Sequence, residues 1–372
     1  MKLEEFIGGC DKEPVDHRDR AYMPTVSSVE SIKEVDLRPL CYPVRDQGWL
    51  SSCTAFATTA LVRHVRKKIG LKDWEPSPLF TYYASRKIQG NTDKNEGVYN
   101  RFALQSTINY GVSMEFMWPY KNATGQYWIE PPQNVWKSAE RHQTLEYQRI
   151  NDANRNEFLT CLNEGYPFIF GLQIYSSFFE TLDYGIVPIP DKINEKCLGG
   201  HAMLAVGYKI IDDKEYIIIQ NSWGTIWGDA GYGYIPMEYF DSNSSYDFWT
   251  IRNIENSDEE DAKEISEEEA KEKAIEDAKR AEEDKKIEEI KKAQEKAKKL
   301  EEEKKAEEAK KLEEEKKLEE ARKIEEAKQQ RILNPTVGET PIVEEKISLW
   351  ENPLFYFVIA TISIFSLFLF FV

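Results

Sequence analysis

The pattern of apolar and polar positions divides the chain into three stretches of different character. Residues 36–255 carry short apolar runs, most of the Trp and Tyr, and turns rich in Gly, Pro and Asn. A stretch of about 220 residues is long enough to bury a substantial core. Residues 257–333 are almost entirely Glu, Lys, Ala, Leu and Ile, and such a composition cannot bury a core of its own. Residues 354–372 contain no charged residue, so we expect a membrane-spanning helix there.

Within the first stretch, a helix is predicted to begin beside Cys53. Ser51 and Ser52 precede apolar residues at helical spacing, and Gly70 follows a basic last turn. These are start and stop signals of a helix. Cys53 then lies in the first turn, where unpaired backbone N–H groups and the positive end of the helix dipole stabilise a thiolate. An ordinary buried cysteine is the alternative for this helix taken alone.

Two buried strands are predicted further along the domain. Residues 202–208 and residues 216–220 are mostly apolar runs of strand length. His201 precedes the first and Asn221 follows the second, so an antiparallel pair of strands would present them side by side. The Asn221 carbonyl would then accept the imidazole N–H and fix its tautomer, with Trp223 covering that bond. A histidine satisfied within the core is the alternative.

The charged segment is predicted to form one long helix. Ser257 and Glu260 fit a capping box at its start, and Asn334 and Pro335 end the pattern. Glu precedes Lys by four residues at many points, and each such pair contributes about 0.2–0.5 kcal/mol to an isolated helix. These pairs are Glu282/Lys286, Glu288/Lys292, Glu295/Lys299, Glu301/Lys305, Glu307/Lys311, Glu313/Lys317 and Glu319/Lys323.

A solitary helix is favoured over a coiled coil for this segment. The core positions of a coiled coil would be mostly Ala. In addition, a nine-residue motif recurs after twelve residues, and this spacing breaks a heptad repeat. A single helix of this length would reach about 115 Å. Self-association through a coiled coil stays open as the alternative.

The patterns define five segments and an expected location. The N-terminal residues lack the apolar stretch of a secretory signal. We therefore expect a single-pass, tail-anchored membrane protein whose globular domain faces the cytosol. Residues 1–35 form a short leader, which is either a cover over the cleft or a frayed end. The remaining segments are the globular domain at 36–255, the helical stalk at 256–333, a linker at 334–350 and the membrane anchor at 351–372.

Charge and cysteine content restrict the classes of ligand. The formal net charge is −17, and no basic patch with interleaved aromatics is present, so we expect no nucleic-acid partner. The spacings of the five cysteines match no zinc-ligand pattern, and an odd, scattered set indicates reduced thiols. We expect no metal and no cofactor. The cysteines are Cys10, Cys41, Cys53, Cys161 and Cys197.

Residues 36–255 resemble the papain-like cysteine proteases. A thiolate nucleophile needs a nearby base, and the base needs a partner that orients its ring; Cys53, His201 and Asn221 have these chemistries. The start of the domain is similar to the mature start of that family, and later segments resemble further landmarks. The matching segments read Val-Asp-Leu-Arg at 35–38, Pro-Val-Arg-Asp-Gln-Gly at 43–48, Pro-Ser-Pro-Leu-Phe-Thr-Tyr-Tyr at 76–83, and Gly-Val at 111–112 through Trp-Pro-Tyr at 118–120.

The resemblance implies a fold and a set of roles. The fold would be α+β, with a helical lobe and a β-barrel-like lobe. Cys53 would be the nucleophile, His201 the acid and base, and Asn221 the residue that orients it. The Gln47 side chain and the Cys53 backbone N–H would stabilise the oxyanion. The substrate-binding residues implied by the resemblance are Gly97, Ala202 and Trp223.

Three positions depart from the family pattern. Leu50 replaces a cysteine that makes a disulfide in the family, which agrees with a reducing compartment. Thr54 replaces the aromatic residue after the nucleophile. Val98 follows Gly97 where the family has two adjacent glycines along which substrate backbone pairs. The four positions that carry the chemistry are intact.

These observations predict a membrane-anchored cysteine endopeptidase that hydrolyses polypeptides through an acyl-enzyme on Cys53. A catalytically weak or inactive peptide-binding scaffold is the first alternative, favoured by the changes at Thr54 and Val98. A peptidyl transferase is the second, because it would use the same acyl-enzyme with an amine in place of water.

Overall fold

The structure is a computed structural model that describes residues 9–25, 34–121, 126–152, 154–181, 183–240 and 244–333. The helices are α1 Cys53–Lys68, α2 Pro78–Gln89, α3 Asn100–Asn109, α4 Gln133–Ala139, α5 Arg155–Asn163, α6 Met237–Tyr239 and α7 Asp258–Leu333. The strands are β1 Val35–Asp36, β2 Thr144–Ile150, β3 Phe168–Tyr175, β4 Cys197–Ile211, β5 Lys214–Gln220, β6 Tyr232–Pro236 and β7 Ser245–Ile254.

The strands form one antiparallel sheet with the order β2-β7-β3-β4-β5-β6, and β1 pairs with β4. The sheet is open, because β2 and β6 lie at its ends and do not pair with each other. The α+β class is confirmed, whereas the expected β-barrel-like lobe is not a closed barrel. β3 and β4 are buried along most of their length, since helices and loops cover both of their faces.

The catalytic helix and the sheet share one apolar core. Leu61 and Val65 of α1 lie in the same buried cluster as Val206 of β4 and Ile251 of β7. Fully burying a side chain of this kind contributes about 1.5–3 kcal/mol. The start of α1 is therefore held rigidly against the sheet at the point where the two lobes meet.

The predicted helix at Cys53 is confirmed, but its predicted cap is wrong. α1 begins at Cys53, and Gly70 adopts a φ of +80° just beyond its end. The Ser52 side chain makes no capping hydrogen bond. Its hydroxyl instead pairs with the Tyr120 hydroxyl at 2.8 Å, because the rest of the fold brings that ring above the helix start.

The two predicted strands are confirmed as the central part of β4 and as β5. They pair antiparallel, with Leu204 opposite Gln220. This register brings the start of the buried part of β4 and the end of β5 to the same edge of the sheet. His201 lies inside β4, opposite Leu172 of β3, and Asn221 directly follows the end of β5.

The charged segment forms α7, Asp258–Leu333. Asn334 and Pro335, at which the sequence predicts its end, lie outside the described residues. The capping box is wrong: Ser257 Oγ has no hydrogen-bond partner in the structure, and Asn256 Oδ1 accepts from the Asp258 N–H instead. Six of the predicted Glu/Lys pairs lie within 2.7–2.9 Å, which confirms them. They are Glu282/Lys286, Glu288/Lys292, Glu301/Lys305, Glu307/Lys311, Glu313/Lys317 and Glu319/Lys323.

The chain divides into two compact units, Met1–Lys273 and Ala274–Val372. The first turns of α7 therefore belong to the globular unit. Among the described residues, no helix combines the length and apolarity needed to cross a membrane. The linker at 334–350 and the predicted anchor at 351–372 lie outside the described residues.

Candidate active site

Cys53 occupies the floor of the cleft between the helical lobe and the sheet. It is the first residue of α1 and is 1% exposed. Its Sγ accepts a hydrogen bond from the Ala202 backbone N–H at 3.4 Å. Because Ala202 directly follows His201 in β4, this contact brings the sulfur to the residue next to the imidazole. The fold thus joins two residues that are far apart in sequence.

His201, in β4, is oriented by partners that lie beside the end of β5. Its Nε2 lies 2.8 Å from Asn221 Oδ1, so an Nε2–H tautomer donates to the amide carbonyl and leaves Nδ1 to act as a base. The Trp223 ring packs on the imidazole with the ring centroids 4.8 Å apart. Phe179 in turn stacks on Trp223 at 4.9 Å. These contacts fix the ring and keep water from the His201–Asn221 bond.

Gln47 is held in the cleft by three neighbours. Its Nε2 donates to the Leu50 carbonyl at 2.8 Å, and its Oε1 accepts from the Ser222 hydroxyl at 2.6 Å. The Tyr120 hydroxyl donates to its backbone carbonyl at 2.7 Å. A primary amide carries two N–H donors, so one remains for an oxyanion while the other anchors the side chain.

The leader runs through this cleft. The Gly9 N–H donates to the Gly200 carbonyl at 2.9 Å on the sheet side. The Gly9 carbonyl accepts from the Val98 N–H at 3.1 Å on the helical side. The leader backbone therefore bridges the two walls directly beside Cys53.

The space around Gly9 has no room for a side chain. A Cβ added there would lie 2.7 Å from Cys53 Sγ and 3.2 Å from the Ser51 carbonyl oxygen. Real Cβ atoms essentially never approach another heavy atom that closely. Glycine at this position is thus what allows the leader to lie against the sulfur.

Buried polar contacts hold the next part of the leader. The Tyr246 hydroxyl donates to the Cys10 carbonyl at 2.7 Å. The Glu13 carboxylate accepts from the Trp249 indole N–H at 3.0 Å and pairs with Arg101 at 3.1 Å. The Glu13 backbone N–H donates to Asp247 Oδ2 at 2.6 Å. Each contact ties the leader to α3 or β7.

Further along the leader, a second set of contacts follows. Asp19 pairs with Arg101 and Arg149 at 2.7 and 3.3 Å, and Ala21 forms a parallel bridge with Arg149. Residues 9–25 are therefore part of the folded globular unit.

Burial under the leader changes the ionisation of the catalytic pair. Desolvation raises the pKa of the Cys53 thiol, although the hydrogen bond from Ala202 acts in the opposite direction. Desolvation also lowers the pKa of His201 to about 4, against the raising effect of Asn221. The thiolate stabilisation expected from the helix N-terminus is therefore outweighed while the cleft is covered. The covered site favours a neutral thiol and a neutral imidazole.

The structure brings Cys53, His201, Asn221, Gln47, Ala202 and Trp223 together in one cleft. Gly97 also lies there, against the Gly9 backbone, but the amide that pairs with the leader belongs to Val98. All five cysteines are free in the structure. Sequence reasoning missed two contributors, Ser222, which positions Gln47, and Tyr246. It named Thr54 only as a departure from the family pattern, whereas the Thr54 hydroxyl donates to the Val98 carbonyl at 3.0 Å. The Gly-Gly doublet at 8–9 was the available signal for the close approach at the sulfur.

Comparison with known proteins agrees with this geometry. A family model described as "Papain family cysteine protease" matches residues 32–246. An uncharacterised peptidase C1-like protein of Acanthamoeba polyphaga mimivirus is 30% identical over 62% of this chain and 76% of its own length. Cysteine proteinase 3 of Entamoeba histolytica is 28% identical over 54% of this chain and 61% of its own.

A solved structure also matches. Xylellain, a cysteine protease from Xylella fastidiosa, superposes with a TM-score of 0.62 and 32% identity. The match covers 66% of this chain and 96% of that protein.

Proposed function

We propose that this chain, which belongs to the papain family of cysteine proteases and is therefore a cysteine-type peptidase, cleaves polypeptides through an acyl-enzyme on Cys53. One observation carries the proposal. The Cys53 sulfur contacts Ala202, the residue that follows His201, while Asn221 holds the His201 ring at 2.8 Å. This arrangement supplies a nucleophile, a base and an orienting group within one cleft.

The proposed reaction has two steps, acylation of Cys53 and hydrolysis of the acyl-enzyme. His201 takes the Cys53 thiol proton, and the sulfur attacks the scissile carbonyl carbon. The oxyanion accepts hydrogen bonds from the Gln47 amide and the Cys53 backbone N–H. Collapse breaks the C–N bond, and His201 delivers its proton to the leaving nitrogen. His201 then takes a proton from water, whose oxygen attacks the acyl carbon and displaces the sulfur. His201 returns this proton to the Cys53 thiolate, and the carboxylic acid is released.

The leader is proposed to restrain this activity. Its backbone occupies the position beside Cys53, and its cover favours a neutral thiol, so both access and ionisation oppose catalysis. The buried contacts of Glu13 and Asp19 support a leader that is fixed against the globular domain, not a frayed end. A substrate must displace residues 9–10 before it can reach the sulfur.

Labelling with an epoxide or vinyl-sulfone probe tests both proposals. The probe alkylates a reactive thiol, so we expect labelling of the chain that lacks residues 2–35 and much slower labelling of the full chain. Cys53→Ala is expected to abolish labelling and peptide turnover, whereas the matched change Cys197→Ala at an exposed thiol leaves both intact.

Two outcomes of this experiment would contradict the proposals. Peptide cleavage by Cys53→Ala at the wild-type rate would exclude Cys53 as the nucleophile. Equal labelling rates with and without residues 2–35 would exclude restraint by the leader.

Residues 354–372 are proposed to span a membrane, with the peptidase on the cytosolic side and α7 as a stalk. Nineteen uncharged, Phe-rich residues with Trp350 beside them support insertion. Fractionation of cells with alkaline carbonate is the test. The full chain is expected in the membrane pellet, and a chain cut after residue 350 in the supernatant. A full chain that carbonate extracts would exclude the span.

A further inference from the structure

A short loop at residues 48–52 connects the two groups that are proposed to bind the oxyanion. The Gln47 side chain comes directly before this loop, and the Cys53 backbone N–H comes directly after it. Leu50, at the centre of the loop, is 1% exposed. The loop contains no cysteine, and all five cysteines of the chain are free, so noncovalent contacts fix its conformation.

The Asn95 side chain holds this loop on both sides of Leu50. Its Oδ1 accepts from the Ser51 backbone N–H at 3.0 Å, and its Nδ2 donates to the Trp49 backbone carbonyl at 3.4 Å. The orientation of the amide follows from these partners, because a backbone N–H requires the oxygen and a backbone carbonyl requires the nitrogen. The Ser51 hydroxyl also donates to the Asn95 backbone carbonyl, at 3.4 Å.

One peptide group connects Asn95 to Gln47. The peptide between Leu50 and Ser51 donates its N–H to Asn95 Oδ1. Its carbonyl accepts from Gln47 Nε2 at 2.8 Å. The contact of the Ser52 N–H with the same carbonyl, also at 2.8 Å, lies within the turn and moves with it. Because a peptide group is planar, a rotation that breaks the bond to Asn95 also turns the carbonyl away from the Gln47 amide.

Asn95 is itself placed by α2. The Tyr82 hydroxyl, on a side chain that is 1% exposed, lies 2.9 Å from Asn95 Oδ1 and 2.9 Å from the Glu96 carbonyl oxygen. The fully buried Arg86 guanidinium donates to two backbone carbonyls of the turn at 92–94, at 2.8 and 2.7 Å. Since these contacts come from a buried helix, Asn95 is presented to the loop by a rigid part of the fold.

We infer that Asn95 is a positioning residue for the reaction, because it holds, through the peptide after Leu50, the Gln47 amide in the orientation that binds the oxyanion. This inference rests on the proposed peptidase function. Loss of the bond to the Leu50 carbonyl leaves the Gln47 side chain held at Oε1 by the Ser222 hydroxyl, and the amide is then free to turn. Oxyanion stabilisation depends on donors that are fixed before the charge develops.

Asn95→Ala tests the inference on the full chain with an aryl-amide substrate. We expect kcat to fall about 10- to 100-fold, less than the about 100- to 1000-fold cost of deleting an oxyanion donor, because Gln47 is still present. KM is expected to change by less than about threefold, since the bound substrate carries no oxyanion. Lys94→Ala is the matched control in the same turn. The Lys94 side chain is 59% exposed, and its removal should leave both constants unchanged.

A double-mutant cycle separates positioning from a general structural role. If Asn95 acts through Gln47, Asn95→Ala lowers kcat by less than about threefold in a Gln47→Ala background, because the group that it positions is already gone. A structural role would lower kcat by the same factor in both backgrounds, and that result would overturn the inference. An unchanged kcat in Asn95→Ala alone would overturn it as well.

Alkylation of Cys53 by iodoacetamide controls for access to the cleft. This reaction forms no oxyanion, but it also requires displacement of the leader. We therefore expect its rate in Asn95→Ala to stay within about threefold of wild type, as measured by peptide mass spectrometry at Cys53. A rate that falls in parallel with kcat would assign the defect to access or to the pairing of Cys53 with His201, which contradicts the inference.

Hydrogen exchange keeps the inference testable if peptide cleavage fails. NMR measures exchange of the Ser51 backbone N–H and of the Gln47 side-chain amide. Both are expected to exchange about tenfold or more faster in Asn95→Ala, because local opening exposes them, and at wild-type rates in Lys94→Ala. Faster exchange at both sites supports the inference even when the proposed peptidase activity is absent. Unchanged exchange, or a rise at Ser51 alone, overturns it.

Discussion

At the scale of single residues, Gly9 decides whether the leader can lie against the nucleophile. Gly9→Ala adds one methyl group where the nearest atom, Cys53 Sγ, would be 2.7 Å away. The change therefore acts through the lack of space beside the sulfur. Residues 9–10 must move out of the cleft, and we expect peptide turnover by the full chain to rise about tenfold or more, since overpacking costs about 1–3 kcal/mol.

The control for this prediction lies in the same leader. Val15→Ala, at an exposed position, is expected to leave turnover unchanged. Initial rates on an aryl-amide substrate measure both variants. A Gly9→Ala protein with wild-type turnover would show that the cleft accommodates the methyl group.

The sequence predicted the residues of the site because their chemistry is carried by residue type and local position. Cys53 precedes a helical pattern, and His201 and Asn221 flank two apolar runs that pair. Ser222 and Tyr246 carried no such signal. Their roles depend on contacts with Gln47 and Cys10, which arise only when distant segments meet. The raised pKa of Cys53 was missed for the same reason, since burial by the leader opposes the local effect of the helix.

At the scale of elements, the leader is held by a carboxylate whose ionisation is unfavourable. Burial raises the pKa of Glu13 from 4.5 to about 7, and Asp247 acts in the same direction, against Arg101 and Trp249. The raised pKa means that docking of Glu13 is most favourable below pH 4.5 and that this stabilisation is lost as the pH rises through about 7. Burial also raises the pKa of Asp247 in β7 to about 6, whereas the hydrogen bond from the Glu13 backbone N–H lowers it.

We therefore expect the leader to restrain the enzyme more strongly at pH 5 than at pH 8. The measurement is the ratio of turnover by the full chain to turnover by the chain without residues 2–35. Taking this ratio removes the titration of the uncovered catalytic pair, which both chains share. The ratio is expected to rise about tenfold or more over this range, because each unit of pKa shift is a factor of ten in binding. In Glu13→Gln the rise should become much smaller, and an unchanged rise would assign the dependence to another group.

A second element is fixed by one buried carboxylate. Asp261, in the first turn of α7, is fully buried. Its oxygens lie 2.7 Å from Arg66, 2.8 Å from the Trp74 indole nitrogen and 2.6 Å from His142 Nε2. Arg66 is itself 1% exposed and lies near the end of α1, the helix that begins at Cys53. The start of α7 is therefore joined to the catalytic helix.

Asp261→Asn removes the charge that compensates the buried Arg66 guanidinium. Loss of one partner of a buried ion pair costs about 3–5 kcal/mol, and we expect the free energy of unfolding of the peptidase unit to fall by this amount. Urea unfolding measures it. Asp277→Asn, at an exposed position of the same helix, is the control and should change the free energy of unfolding by less than about 0.5 kcal/mol.

At the scale of the whole molecule, composition predicted the division of the chain but not the position of the boundary. The change to Glu, Lys and Ala after residue 256 indicated the end of the globular domain. The compact unit instead continues to Lys273. Asp261 and Glu264, in the first turns of the charged helix, pack against the globular domain. Glu264 adds ion pairing with Arg141. A count of charged residues cannot distinguish a carboxylate that faces water from one that is buried against Arg66.

Two truncations test this boundary. Removal of residues 274–372 keeps every contact of Asp261 and Glu264, so the thermal midpoint of the peptidase unit is expected to stay within about 2 °C of the full chain. Removal of residues 258–372 also takes away Asp261 and leaves Arg66 buried without its partner. That loss of about 3–5 kcal/mol lowers the midpoint by about 6–20 °C. Calorimetry measures both. Equal midpoints would show that the globular fold ends before α7, where the composition changes.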